Sequence, residues 1–162
     1  MHANDILKYG HYFFMNALEG IDEAHVNVGG VCGVWSVKDI VAHIGATELV
    51  LVDVVNWIKD DTTPIPMLKK YGEMRANWND FEVNERKDKS YQEVLDEYLS
   101  AQAKTAELIE SVPLDLRCKT GALTWYGAEY DLEDFLVYSY YGHKREHGAE
   151  INHFKSKLKA AN

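Results

Sequence analysis

Residues 36–59 read Ser36-Val37-Lys38-Asp39-Ile40-Val41-Ala42-His43-Ile44-Gly45-Ala46-Thr47-Glu48-Leu49-Val50-Leu51-Val52-Asp53-Val54-Val55-Asn56-Trp57-Ile58-Lys59. Counting by three and four from Ile40 collects His43, Ile44, Thr47, Leu51, Val54, Val55 and Ile58 on one face, the period of an amphipathic helix. Ser36 is placed to cap the amide of Asp39 while the Asp39 carboxylate reaches back, and Trp35 can staple against Ile40. This stretch therefore predicts a helix from Ser36 to about Lys59. It also predicts that one histidine, His43, faces the core.

The same period continues on both sides. A first helix is expected over about Asp5 to Glu19, with Ile6, Phe13, Phe14 and Ala17 inward and Gly20 near its end. A third opens on the capping box Ser90-Tyr91-Gln92-Glu93 and proceeds through Val94, Leu95, Tyr98, Ala101, Thr105 and Leu108 to Pro113. A fourth starts at Asp131, with Asp134 three residues on, and runs through Leu132, Phe135, Leu136, Ser139, Tyr140, Ile151 and Phe154 to about Leu158. Strand alternation bounded by hairpin turns is hard to find, so the chain reads as all-α, a four-helix bundle. The 30-residue connection Asp60 to Lys89 contains Pro64 and Pro66 and has room for a short helix around Met74 to Phe81. It is long enough to cross the bundle, which lets the second and third helices point the same way.

Composition bounds the function. The 162 residues are 46% apolar and 27% charged, which suits one domain over residues 1–162. The apolar run from Ile40 to Ile58 is interrupted by His43, Thr47, Glu48, Asp53 and Asn56 and is expected to fall short of a bilayer span. Seventeen Lys and Arg against 26 Asp and Glu give a formal charge of −9, which repels phosphate backbones and anionic lipid. Neither nucleic acid nor membrane is expected as a partner. The opening residues lack the basic start and apolar core of a leader, and the only cysteines are Cys32 and Cys118, so a reducing cytoplasm fits best.

Extending the count along the fourth helix gives Tyr140, His143, His147, Glu150, Ile151 and Phe154, so His143 and His147 share the inward face one turn apart. Such a pair emerges about 6 Å apart and can converge on nitrogen-to-metal distances of about 2.0 to 2.1 Å. A third imidazole from a facing helix completes a triad that leaves coordination positions open, the arrangement of a catalytic zinc, nickel or iron site. The candidate metal ligands are therefore His43, His143 and His147. The alternative is three core histidines, each hydrogen-bonded to a carbonyl or hydroxyl. Leaving them unpaired costs roughly 1 to 3 kcal/mol each, and one ion would satisfy all three. His2, His11, His25 and His153 read as surface residues.

Other motifs carry less. His143-Lys144-Arg145-Glu146-His147 matches H-x-x-E-H, but Glu146 lies off the inward stripe and only 15 residues follow His147, too few for the downstream ligand of an inverted zinc peptidase. Glu150, three residues after His147, is the better candidate for an auxiliary or catalytic carboxylate, with a solvated helix face as its alternative. Gly29-Gly30-Val31-Cys32-Gly33 lacks the strand and Lys-Ser/Thr ending of a phosphate loop and reads as a flexible entry to the second helix. Both cysteines read as inert thiols. Trp35, Trp78, Trp125, Tyr126 and Tyr130 could wall a pocket at the bundle mouth. The mixed charges from Glu82 to Lys89 read as a solvated face.

Trp35-Ser36-Val37-Lys38-Asp39-Ile40-Val41-Ala42-His43-Ile44, followed a hundred residues later by Tyr141-Gly142-His143-Lys144-Arg145-Glu146-His147, resembles the DinB-like superfamily of metal-binding four-helix bundles. Asn84-Glu85-Arg86-Lys87-Asp88-Lys89-Ser90 further resembles its ClbS/DfsB branch. The resemblance implies an up-down-down-up bundle, often homodimeric, whose three-histidine site for nickel, zinc or iron falls on His43, His143 and His147. It also implies either thiol-dependent transfer or isomerisation with mycothiol or bacillithiol, or metal-dependent hydrolysis. The ClbS branch includes a hydrolase that protects against a DNA-damaging metabolite.

The expected function is thus a metal-dependent enzyme acting on a small electrophilic molecule. A divalent ion on His43, His143 and His147 would either lower the pKa of water toward about 7 or bind a substrate thiolate from a low-molecular-weight thiol. In the hydrolytic version Glu150 would accept the proton. The alternative from another class is a non-catalytic protein that sequesters a small molecule in the same bundle.

Overall fold

A computed structural model of the chain describes residues 2–161. Among them the regular structure is helical, with one isolated bridge between Cys32 and Trp35 and no strand. The first helix, α1 (Ala3–Leu18), begins two residues earlier than Asp5 because the His2 ring accepts from the Asn4 amide. Helix α2 (Val37–Lys59) carries the full Ser36–Asp39 capping box, as α5 (Tyr91–Glu110) does at Ser90 and Glu93. Each box satisfies two amides that a helix start otherwise leaves free. Asp131 and Asp134 form a third box at the head of α7 (Leu132–Leu136), which continues through a π turn, Val137–Tyr141, into α8 (Gly142–Ala161).

The crossover holds two helices where one was expected at Met74 to Phe81: α3 (Pro66–Met74) and α4 (Trp78–Glu85), parted at Arg75, whose φ is +49°. The reason lies outside the segment. No side chain of its own caps α3; instead the buried Asp53 carboxylate of α2 accepts from the Met67 and Leu68 amides at 2.6 and 3.0 Å. Helix α4 is anchored by Glu82 and Arg86, both buried and paired at 2.6 Å, with Arg86 reaching on to Glu97 of α5 at 2.8 Å. The expectation of a solvated face over Glu82 to Lys89 is therefore corrected: its two central charges neutralise each other inside. A short helix, α6 (Leu114–Arg117), follows α5.

Contacts fix the helix directions. Along α2 and α5, Lys38 meets the Lys89 carbonyl, Gly45 meets Tyr98, Glu48 meets Thr105 and Lys59 meets Ser111, so the two run parallel. The helices approach closely at Gly45, where a Cβ would lie 3.4 Å from the Tyr98 backbone. Helix α1 runs with α8, from Gly10 on Tyr141 to the Ala17 carbonyl on Lys155. Helices α2 and α8 oppose each other, with Thr47 on Tyr140 and His43 on His143.

The apolar core divides into two clusters, one around Ile6, Leu51, Val54, Ile109 and Leu136, the other around Phe14, Ile40, Ile44, Tyr98 and Ile151. Where one gives way to the other, the four long helices contribute His11, His43 and Glu48, Thr105, and His143, Lys144 and His147. A polar layer thus crosses the middle of the interior, and the candidate site lies in it. Helix α2 is the one described helix long and apolar enough to cross a membrane, contrary to the expectation for Ile40 to Ile58, but 72% of its most apolar stretch is buried in the fold.

Candidate metal centre

His43 projects from α2 and His143 and His147 from α8, and all three aim the same nitrogen at one point. His143 Nε2 lies 2.8 Å from His43 Nε2 and 3.1 Å from His147 Nε2. Nitrogens bound about 2.0 to 2.1 Å from a common ion stand about 2.8 to 3.4 Å apart for octahedral to tetrahedral angles, a range that holds both of these distances. Among the described residues these three form a group of the right chemistry to hold one. Burial and then mutual repulsion depress the rings, His43 to about 2 and His143 to about 3. Neutral imidazole is the ligating form.

Two features hold the rings. His147 Nδ1, on the ring edge remote from the convergence point, lies 2.8 Å from Glu150 Oε2. A carboxylate in that position fixes the tautomer that leaves Nε2 free. The Trp35 indole packs against His43 and His147 with ring centroids 5.1 and 6.4 Å away. His43 Nδ1 is buried without a partner, so packing rather than a hydrogen bond orients that ring. Cys32, delivered by the turn before α2, comes near Glu150 and His147. Burial first, then the Glu150 and Glu146 carboxylates, push its thiol up to about 11, as expected of an inert thiol rather than a nucleophile.

Behind the rings lies a pair of charges that the stripe count did not single out. Lys144 and Glu48 form an ion pair whose side chains are only 2% and 1% exposed. Glu48 Oε2 also lies 3.3 Å from the Thr105 hydroxyl, and the Lys144 ammonium sits 5.6 Å over the Tyr98 ring. Lys144 follows the π turn Val137–Tyr141 by three residues and is buried, while its neighbour His143 is half-buried at the edge of a cavity. His11 is corrected too: it is partly buried, with Nδ1 2.7 Å from the Tyr98 hydroxyl, rather than solvated.

The rings of His43 and His143 open onto a chamber of about 270 Å³ walled by Tyr71, Trp78, Trp125, Tyr126, Phe135 and Tyr140. Of the five aromatics expected around a pocket, Trp78, Trp125 and Tyr126 line it. Trp35 serves the histidines instead, and Tyr130 packs on Tyr126 with centroids 5.2 Å apart. Glu146 is exposed, away from the site.

An all-helical fold with three inward histidines is compatible with the DinB-like superfamily of metal-binding proteins. Within it, residues 9–135 match the family described as mycothiol maleylpyruvate isomerase N-terminal domain, and the chain belongs to that family. The match covers most of the chain, includes His43, and stops before His143 and His147, whose place in the site rests on the geometry above. It does not extend to the ClbS/DfsB branch. No curated protein and no solved structure matches the chain significantly.

Proposed function

We propose that the chain is a metal-dependent enzyme that uses a low-molecular-weight thiol to transform a small electrophilic molecule, on an up-down-down-up four-helix bundle. The observation that carries it is the convergence of three Nε2 atoms, 2.8 and 3.1 Å apart, at the wall of an aromatic chamber. The helix directions set out above support the bundle, and the family's description, which names mycothiol, favours the thiol version over hydrolysis. A divalent ion on His43, His143 and His147 would supply Lewis acidity, stabilising a thiolate or lowering the pKa of water.

The chain's own residues do the rest. The Glu150 carboxylate holds His147 with Nε2 toward the site, so we assign it a positioning role ahead of the proton-accepting one. The aromatic walls lower the local dielectric, which strengthens charge interactions at the rings. Small-molecule substrates, no nucleic acid or membrane partner, and a reducing compartment for the two free thiols complete the reading; a homodimer fits the superfamily.

The test is thermal unfolding of metal-stripped protein with and without nickel or zinc, for wild type and His43→Ala, followed by a panel of thiols with electrophilic substrates. A ligand at a hundred times its Kd stabilises the native state by about 2.7 kcal/mol, a rise of roughly 5 to 11 °C at this size. That rise must vanish in His43→Ala. No rise in wild type overturns the metal centre; a rise without turnover of any thiol pair favours the sequestering protein instead.

A further inference from the structure

A second hollow adjoins the first. A groove of about 430 Å³ lies over α3, lined by Trp57, Ile65, Leu68, Lys69 and Gly72, and it shares Tyr71 and Trp125 with the metal-side chamber. Those two aromatics are 42% and 47% exposed, and they line both the chamber and the groove. The chamber's twelve lining residues include no Asp, Glu, Lys or Arg; its polar groups, besides the histidines and tyrosines, are Thr47, Asn79 and Ser139. A ligand carboxylate or phosphate held there away from the metal would lose its water without gaining a cation. The groove has a single cation, Lys69, among apolar walls.

We propose that the substrate is a two-part, uncharged molecule: a compact body fills the chamber against the metal centre, and an apolar tail passes Tyr71 and Trp125 into the groove over α3. This rests on the metal-centre reading above. It assigns the groove to the same ligand as the chamber because the two spaces adjoin across shared residues. It also excludes dicarboxylates as the chamber's occupant. Specificity for tail length is then set by Trp57, Ile65, Leu68 and Gly72, none of which touches the reacting end.

The test uses n-alkyl hydroxamates of rising length, from acetohydroxamate to decanohydroxamate, titrated calorimetrically into the zinc-loaded full chain. The hydroxamate head seeks the metal, and each methylene entering the groove should tighten binding about three- to fourfold until the groove is filled. Gly72 is exposed, and a Cβ added there meets no atom within 4 Å, so Gly72→Phe and Gly72→Glu occupy or charge the groove without disturbing the fold. Both should abolish the length dependence and leave acetohydroxamate affinity unchanged. The monohydroxamate of succinic acid, which puts a carboxylate in the chamber, should bind about tenfold or more weaker than butyrohydroxamate. Equal binding of that pair overturns the uncharged chamber. A flat series in wild type, or a slope that survives both Gly72 variants, overturns the groove while the metal centre stands. Failure of acetohydroxamate itself to bind overturns the metal-centre reading and this inference with it.

Discussion

Replacing Glu48 by Gln leaves the Lys144 ammonium in the middle of the protein with no opposing charge. Both side chains are within 2% of complete burial; Glu48 also meets the Thr105 hydroxyl, and the Lys144 ammonium lies over the face of Tyr98. Removing one member of such a pair costs about 3 to 5 kcal/mol, because the survivor cannot regain water. At this chain length, 1 kcal/mol moves Tm by about 2 to 4 °C, so the single variant should melt roughly 6 to 20 °C below wild type. Lys144→Met should lose a similar amount. The double variant Glu48→Leu/Lys144→Met removes both charges and keeps much of the volume, and it should recover to within about 1 kcal/mol of wild type or exceed it. Urea unfolding at pH 7, followed by far-UV circular dichroism with m held constant across the four proteins, gives the coupling energy directly. A single variant that loses less than about 1 kcal/mol, the worth of an exposed pair, would refute the claim that these charges are desolvated and mutually dependent.

Further expectations follow from the site and its supports. Glu150→Ala should weaken zinc binding about 10- to 100-fold with little change in metal-free Tm, while Glu150→Gln, which can still accept from His147 Nδ1, should restore most of the affinity in a competition titration; equal loss in both would refute the positioning role. Asp53→Ala removes the only side-chain cap on α3 and should cost about 0.5 to 2 kcal/mol, with hydrogen exchange rising first at Met67 and Leu68. Burial pushes the Glu97 carboxyl up, but hydrogen bonds and charges from Lys89 and Arg86 outweigh it and hold the group below its ordinary 4.5. A carboxyl depressed in the folded state stabilises it above the unfolded pKa, and that gain is lost as pH falls through the folded value. Glu97→Gln should therefore lower Tm at pH 7 and converge with wild type in acid; a Tm difference that does not change with pH would sink this assignment.

Much of the scaffold was legible locally. The boxes at Ser36, Ser90 and Asp131 declare helix starts because each depends on residues three apart, and all three form in the structure. The three inward histidines were legible for a similar reason: apolar spacing on α2 and α8 sets which way a side chain points. The parallel run of α2 and α5 agrees with the length of the crossover between them. Among the expectations that failed were those about polar residues away from a stripe. Glu82 and Arg86 resemble a surface pattern until each supplies the other's counter-charge, and His11 resembles a solvated flank until Tyr98 of α5 meets it.

The sequence by itself determined that this protein is helical, where its long helices begin, and that His43, His143 and His147 turn inward, since those properties follow from neighbours within one or two turns. Only the tertiary structure decided that the three Nε2 atoms share a point, that α3 takes its cap from Asp53, and that Lys144 lies inside to meet Glu48. Each of those depends on the distance between residues 14 to about 100 positions apart, and periodicity fixes direction around a helix but not which level of its neighbour it meets.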